Sequence, residues 1–164
     1  DVKKNLDFIG LRGLSFVCNA AYIYSRVRFE EGAPERDRPL AGQSPYLVNA
    51  GFFYQYDDKG ISASLLYNRI GKRIESVGVP MQNQNEDIPD IYEMPRNSLD
   101  LTFSKKIGKI VEIKAGIQDM LNSKVEYKQF VKLTDDKGGK SEREQLIRSY
   151  RPGVDINIGV SLRF

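Results

Sequence analysis

Residues 153–164 read GVDINIGVSLRF. Val154, Ile156, Ile158, Val160, Leu162 and Phe164 alternate strictly with Asp155, Asn157, Gly159, Ser161 and Arg163. Only an extended strand turns a period of two into one apolar and one polar face. A strand built this way is wet on one side and dry on the other. Its dry side needs either a protein core or lipid.

The same alternation recurs upstream. In YLVNAGFFYQY, Tyr46, Val48, Ala50, Phe52, Tyr54 and Tyr56 share a face opposite Leu47, Asn49, Gly51, Phe53 and Gln55. In GISASLLYNRIG, Ile61, Ala63, Leu65 and Tyr67 stand opposite Ser62, Ser64, Leu66 and Asn68. The intervening DDKG is turn-forming by composition. With Asp58 and Lys59 as the loop residues, Tyr56 faces Ile61 and Phe52 faces Leu65, so the two dry faces coincide. Further on, Leu99, Leu101 and Phe103 alternate with Ser98, Asp100, Thr102 and Ser104, and Val111, Ile113, Ala115 and Ile117 with Glu112, Lys114, Gly116 and Gln118. A tight turn near Ile107 is expected to pair Leu101 with Ile113 and, on the wet side, Asp100 with Lys114, an opposite-charge pair of a few tenths to about 1 kcal/mol. GLSFVCNAAYIYSRVRF reads as another long strand. About six strands result, several near the ~9–11 residues that cross a bilayer when tilted.

Short turns near Gly10–Gly13, Asp57–Gly60 and Lys105–Lys109 alternate with long polar connections over Glu30–Ser44, Lys72–Arg96 and Asn122–Tyr150. Short turns on one side and long loops on the other are the habit of an outer-membrane barrel. Tyr54 and Tyr56 then fall near the inner end of the dry face and Tyr46 and Tyr67 near the outer end, as aromatic girdles would. Arg69 continues the dry face at the height of the outer headgroups. It reads either as a contact to anionic lipid or simply as an arginine at a strand end.

Composition narrows the chemistry. The 164 residues are 40% hydrophobic and 29% charged, without an 18-residue apolar run, which excludes an ordinary transmembrane helix but not a strand-built span. A net charge of +3, spread along the chain, does not argue for nucleic acid. Histidine is absent and Cys18 is the single cysteine, so His-based triads, disulfides and cysteine-zinc sites are excluded. Cys18 reads as a small apolar filler. No nucleophile sits with a base, and no enzyme activity, metal site or cofactor is expected. In QNQNEDIPDIYE, Glu86, Asp87, Asp90 and Glu93 lack the ligand spacing and turn glycine of a calcium loop and read as a solvated acidic loop. Ser141 and Glu144 have capping-box spacing and suggest the start of a short helix.

RPLAGQSPYLVNAGFFYQ, SLLYNRIGKRI, IYEMPRNSLDLTFSKKI, GIQDMLNSKVEYKQF and YRPGVDINIGVSLRF occur in that order from about Lys4 onward. Together they resemble the C-terminal barrel of TonB-dependent outer-membrane receptors. The resemblance implies an antiparallel transmembrane β-barrel of ~22 strands with a plugged lumen. It also implies import of a scarce nutrient (siderophore, haem, cobalamin, glycan or peptide) with energy relayed by TonB. Residues 1–164 would be the C-terminal strands of that barrel, in contact with outer-membrane lipid, with the plug and TonB-contacting segment absent from this sequence. Ile156, Ile158, Val160, Leu162 and Phe164 would form the signal read by the barrel-assembly machinery. Asn49, Gln55, Asn68, Asp100, Glu112, Lys114, Gln118, Asp155, Asn157 and Arg163 would line the lumen. The plainer reading of these polar residues is hydrogen bonding to plug and water rather than to substrate. Two other classes remain open: a passive or structural outer-membrane barrel (porin-like or adhesin), and a soluble β-barrel or sandwich binding a small ligand.

Overall fold

The computed structural model describes residues 1–7, 12–33, 35–81, 87–134 and 139–162. The chain is all-β and its strands pair antiparallel. Seven strands form one sheet: β1 (Val2–Asn5), β2 (Leu14–Tyr22), β3 (Tyr46–Tyr56), β4 (Ile61–Ile70), β7 (Arg96–Ile107), β8 (Val111–Gln118) and β11 (Asp155–Leu162), in that order across the sheet. Four more form a second sheet: β5 (Arg73–Ser76), β6 (Ile91–Glu93), β9 (Val125–Thr134) and β10 (Lys140–Tyr150), ordered β5-β6-β9-β10.

The β3–β4 register is the expected one, with Tyr56 opposite Ile61 and Phe52 opposite Leu65. Asp57–Lys59 form a single 3₁₀ turn, and Gly60 closes it in the left-handed region at φ 60°. The next hairpin differs from expectation. Leu101 pairs with Ile117, not Ile113, and Lys114 lies opposite Ser104, not Asp100. The strands run further than expected, to Ile107 opposite Val111, because the turn uses Gly108 at φ 61°. The shift is four residues, an even number, so every side chain keeps its face.

Two other expectations are corrected. GLSFVCNAAYIYSRVRF is not one long strand, since β2 ends at Tyr22. The long connections are not plain loops: residues 72–96 and 122–150 contribute β5, β6, β9 and β10. Ser141 and Glu144 stand in β10, opposite Leu133 and Phe130, so no helix starts there. The cross-strand ladder with β9 satisfies the backbone groups that a cap would have served.

The order β5-β6-β9-β10 repeats the order β4-β7-β8-β11. Each strand of the second sheet is thus the continuation of one in the first, interrupted at a common level. The interruptions have separate causes. At Gly71 a Cβ would lie 2.7 Å from the Tyr46 ring and 2.8 Å from Ser44 Oγ. Pro95 lacks a ladder donor. Asp119 (φ 52°) and Asn122 (φ 42°) adopt left-handed conformations, and Gly153 (φ 97°) follows Pro152. The buried apolar residues among those described, Ile74, Val125 and Tyr127, all lie just above this level. The seven-stranded sheet has no second layer packed on either face among the described residues.

Candidate functional site

The sheet's dry face is a stack of registered rows. Phe16, Phe52, Leu65, Leu101, Ile117 and Ile156 stand side by side across six strands. Leu14, Tyr54, Ala63, Phe103, Ala115 and Ile158 form the neighbouring row. These side chains are open to the surroundings: Phe52 is 44% exposed, Ile156 68% and Ile158 77%. Phe16 and Phe52 stack at 5.1 Å between ring centroids. Lys105 falls in the row of Tyr56 and Ile61, and its Nζ donates to the Lys59 carbonyl at 2.5 Å, which draws the charge to the short-turn end. At the other end Arg69 is tied to protein, donating through Nη1 to Asn97 Oδ1 at 2.8 Å and through Nε to the Tyr46 hydroxyl at 3.4 Å.

Asn49, Gln55, Asn68, Asp100, Glu112, Lys114, Gln118, Asp155 and Asn157 all occupy the opposite face, and several are satisfied by each other. Asn68 donates to Asn49 Oδ1. Gln55 donates to Asp57 at 2.7 Å, and Lys114 pairs with Glu112 at 3.4 Å. Asp100 Oδ1 accepts the Asp119 N–H at 2.8 Å. Gln118 lies directly across from Asp155. Val17, Phe53 and Leu66 interrupt this polar face around Gly51. Ile156, Ile158, Val160 and Leu162 form the open dry edge on β11, while Arg163 and Phe164 lie outside the described residues.

The strand breaks carry a belt of polar bonds. Arg96 pairs with Asp119, and Arg73 with Glu93 at 2.7 Å. Arg151 Nη1 donates to the Asn122 carbonyl at 2.6 Å, and the Gly153 N–H to Asn122 Oδ1 at 3.0 Å.

Above the belt, the second sheet and residues 35–39, 77–80 and 87–90 border a cleft of about 780 Å³. That volume suits a small ligand. Counted by twos through the breaks, Ile74 and Tyr92 continue the polar face. Tyr92 and Phe130 meet edge-to-face at 5.7 Å, and the Lys72 ammonium lies 4.4 Å from each ring centroid. Burial, reinforced by the Asp90 carboxylate, raises the Tyr92 phenol above its ordinary 10.0. Asp90 also accepts the Gly78 N–H at 2.8 Å, and Asp87 accepts from Arg36 at 2.6 Å and from the Met81 N–H at 2.8 Å. The expected acidic loop therefore spends its described carboxylates on backbone, the Tyr92 hydroxyl and ion pairs with Arg36 and Arg73; Glu86 lies outside the described residues. Among the described residues no cluster of three metal-ligating side chains occurs. Lys72, Tyr92 and Phe130 are far apart in sequence, and no local pattern marks them as a set.

No family model matches the chain, and no curated protein or solved structure does.

Proposed function

We propose that this chain forms part of the transmembrane barrel of a TonB-dependent outer-membrane receptor that imports a scarce nutrient. The observation that carries the reading is the dry face, an apolar surface continuous across six strands with no layer packed on it among the described residues. A single-layer sheet with a face of this kind is unstable in water, and lipid is the partner that suits it. β2, β3 and β4, with 9, 11 and 10 residues, match bilayer-crossing lengths. Residues 57–60 and 108–110 make tight turns at one end, while the described residues within 23–45, 71–95 and 119–154 build the elaborate other end, the asymmetry of periplasmic and extracellular sides.

The edges of β1 and β11 are not paired with each other, so closure needs further strands. In this proposal those strands, the plug and the TonB-contacting segment belong to other parts of the polypeptide. The plug covers the patch of Val17, Phe53 and Leu66, the barrel-assembly machinery engages β11 during biogenesis, and the extracellular sheet meets the nutrient.

An immunoblot of fractionated cells with an antibody to this segment tests the proposal. A band several times heavier than this chain, cofractionating with the outer membrane, is expected. Nutrient uptake through it should stop when TonB is deleted. Uptake that persists without TonB would instead mark a passive channel. A band of this chain's own size in the soluble fraction would overturn the membrane reading.

A further inference from the structure

The cleft above the strand breaks has a charge problem and an aromatic answer to it. Its lining carries five carboxylates against three cations. One of the cations, Arg36, is already held by Asp87. Lys72 makes no ion pair among the described residues, although carboxylates surround the same cleft. Its ammonium instead lies equidistant, at 4.4 Å, from the Tyr92 and Phe130 rings. Two ring faces converging on one ammonium is the arrangement by which aromatic cages hold cationic ligands. Asp90 and Glu142 flank Tyr92 and add negative potential to it. Lys72 is exposed and stands on a flexible four-carbon stem directly after the Gly71 break, so it can withdraw without disturbing the sheet.

We propose that this cleft binds a cationic ligand, an ammonium- or guanidinium-bearing peptide or amine, whose charge takes the place between Tyr92 and Phe130 that Lys72 occupies. Lys72 is then an internal stand-in: it keeps the rings and carboxylates satisfied and competes with the ligand. The inference rests on the import reading only in making this ligand the cargo. Binding itself requires only the cleft.

The test is isothermal titration of the detergent-solubilised full-length protein with trilysine as the cationic probe and triglutamate as the anionic one. Binding is assigned to the cleft by its response to substitutions in the cleft lining. Phe130→Leu keeps the apolar bulk and removes the ring face, and it should weaken trilysine binding about 5- to 30-fold. Lys72→Met should strengthen it severalfold. Strand content by circular dichroism confirms that each variant is folded. The proposal is overturned if trilysine shows no saturable binding, if Phe130→Leu leaves it unchanged, or if Lys72→Met leaves it unchanged or weakens it. Triglutamate binding that disappears in Lys72→Met would make the lysine an anion hook and overturn it equally. None of these outcomes bears on where the protein resides, which fractionation decides separately.

Discussion

Replacing Ile158 by arginine separates lipid from water as the partner of the dry face. Ile158 lies in the middle of the apolar band, in the row of Leu14, Tyr54, Ala63, Phe103 and Ala115, and it is 77% exposed. If that face met water, an arginine there would change stability by no more than about 0.5 kcal/mol, as surface substitutions do. Against the bilayer midplane the same change costs about 2–4 kcal/mol. At 1.36 kcal/mol per decade this is roughly a 30-fold to nearly 1000-fold loss in the folding equilibrium. Ser161→Arg is the internal control. Ser161 is three residues away on the polar face, directly opposite Glu112, so its arginine gains an opposite-charge neighbour and should be neutral or slightly stabilising. The assay is urea unfolding of the full-length protein in phosphatidylcholine vesicles. Ile158→Arg within about 0.5 kcal/mol of the parent, or an equal cost for Ser161→Arg, would refute the assignment of the faces.

Three further outcomes follow from the strand breaks and the second sheet. Asp119→Ala should cost about 2–3 kcal/mol in the same unfolding assay, since it strands Arg96 and places alanine at φ 52°; Asp119→Gly, which relieves the backbone, should cost less. Ile74, only 2% exposed, anchors the second sheet, and Ile74→Ala should cost about 2–5 kcal/mol, read as faster hydrogen exchange in β5, β6 and β9 while β3 and β4 keep their protection. The Tyr92 phenol is raised in the folded state, so its contribution to stability is complete below pH 10 and falls as pH rises from there through the folded value. Ultraviolet titration should show late-ionising tyrosines, since burial raises Tyr127 as well, and Tyr92→Phe should remove its share of that phase and leave the share of Tyr127.

The period-two face assignment was legible in the sequence because lipid or core imposes it on every residue of a strand. The β3–β4 register was legible too, since DDKG leaves one turn that aligns both dry faces. The β7–β8 register was not. Parity is blind to a shift of four, and the match of Asp100 with Lys114 pointed to the wrong partner. In the structure Asp100 serves the Asp119 N–H and Lys114 turns to Glu112 on its own strand. The second sheet left a weaker trace because β5 and β6 are short and β10 is largely polar on both faces. KSEREQLIRSY alternates poorly, and Ser141 with Glu144 imitates a helix start. The cleft left none: Lys72, Tyr92 and Phe130 converge only once β5, β6 and β9 are paired.

The common height of the four breaks links these observations. Gly71 beneath the Tyr46 ring, Pro95, the left-handed pair Asp119 and Asn122, and Gly153 interrupt the ladders by four different means at one level. Unrelated local causes that coincide point to a constraint acting on the level itself. Below it the dry face is apolar, with Tyr67 and Leu99; above it the same parity carries Arg73 paired with Glu93, then Tyr127 beneath Arg148. A strand crossing this level exchanges one source of stability for another. Below, its apolar residues need an external partner. Above, the sheet buries Ile74 on one face and Val125 and Tyr127 on the other, and adds ion pairs such as Lys128 to Glu144 at 2.7 Å. Breaking the ladders there lets the upper sheet take its own twist and packing without moving the register of the strands beneath. The loops and the cleft can therefore vary in sequence while the lower sheet stays as it is.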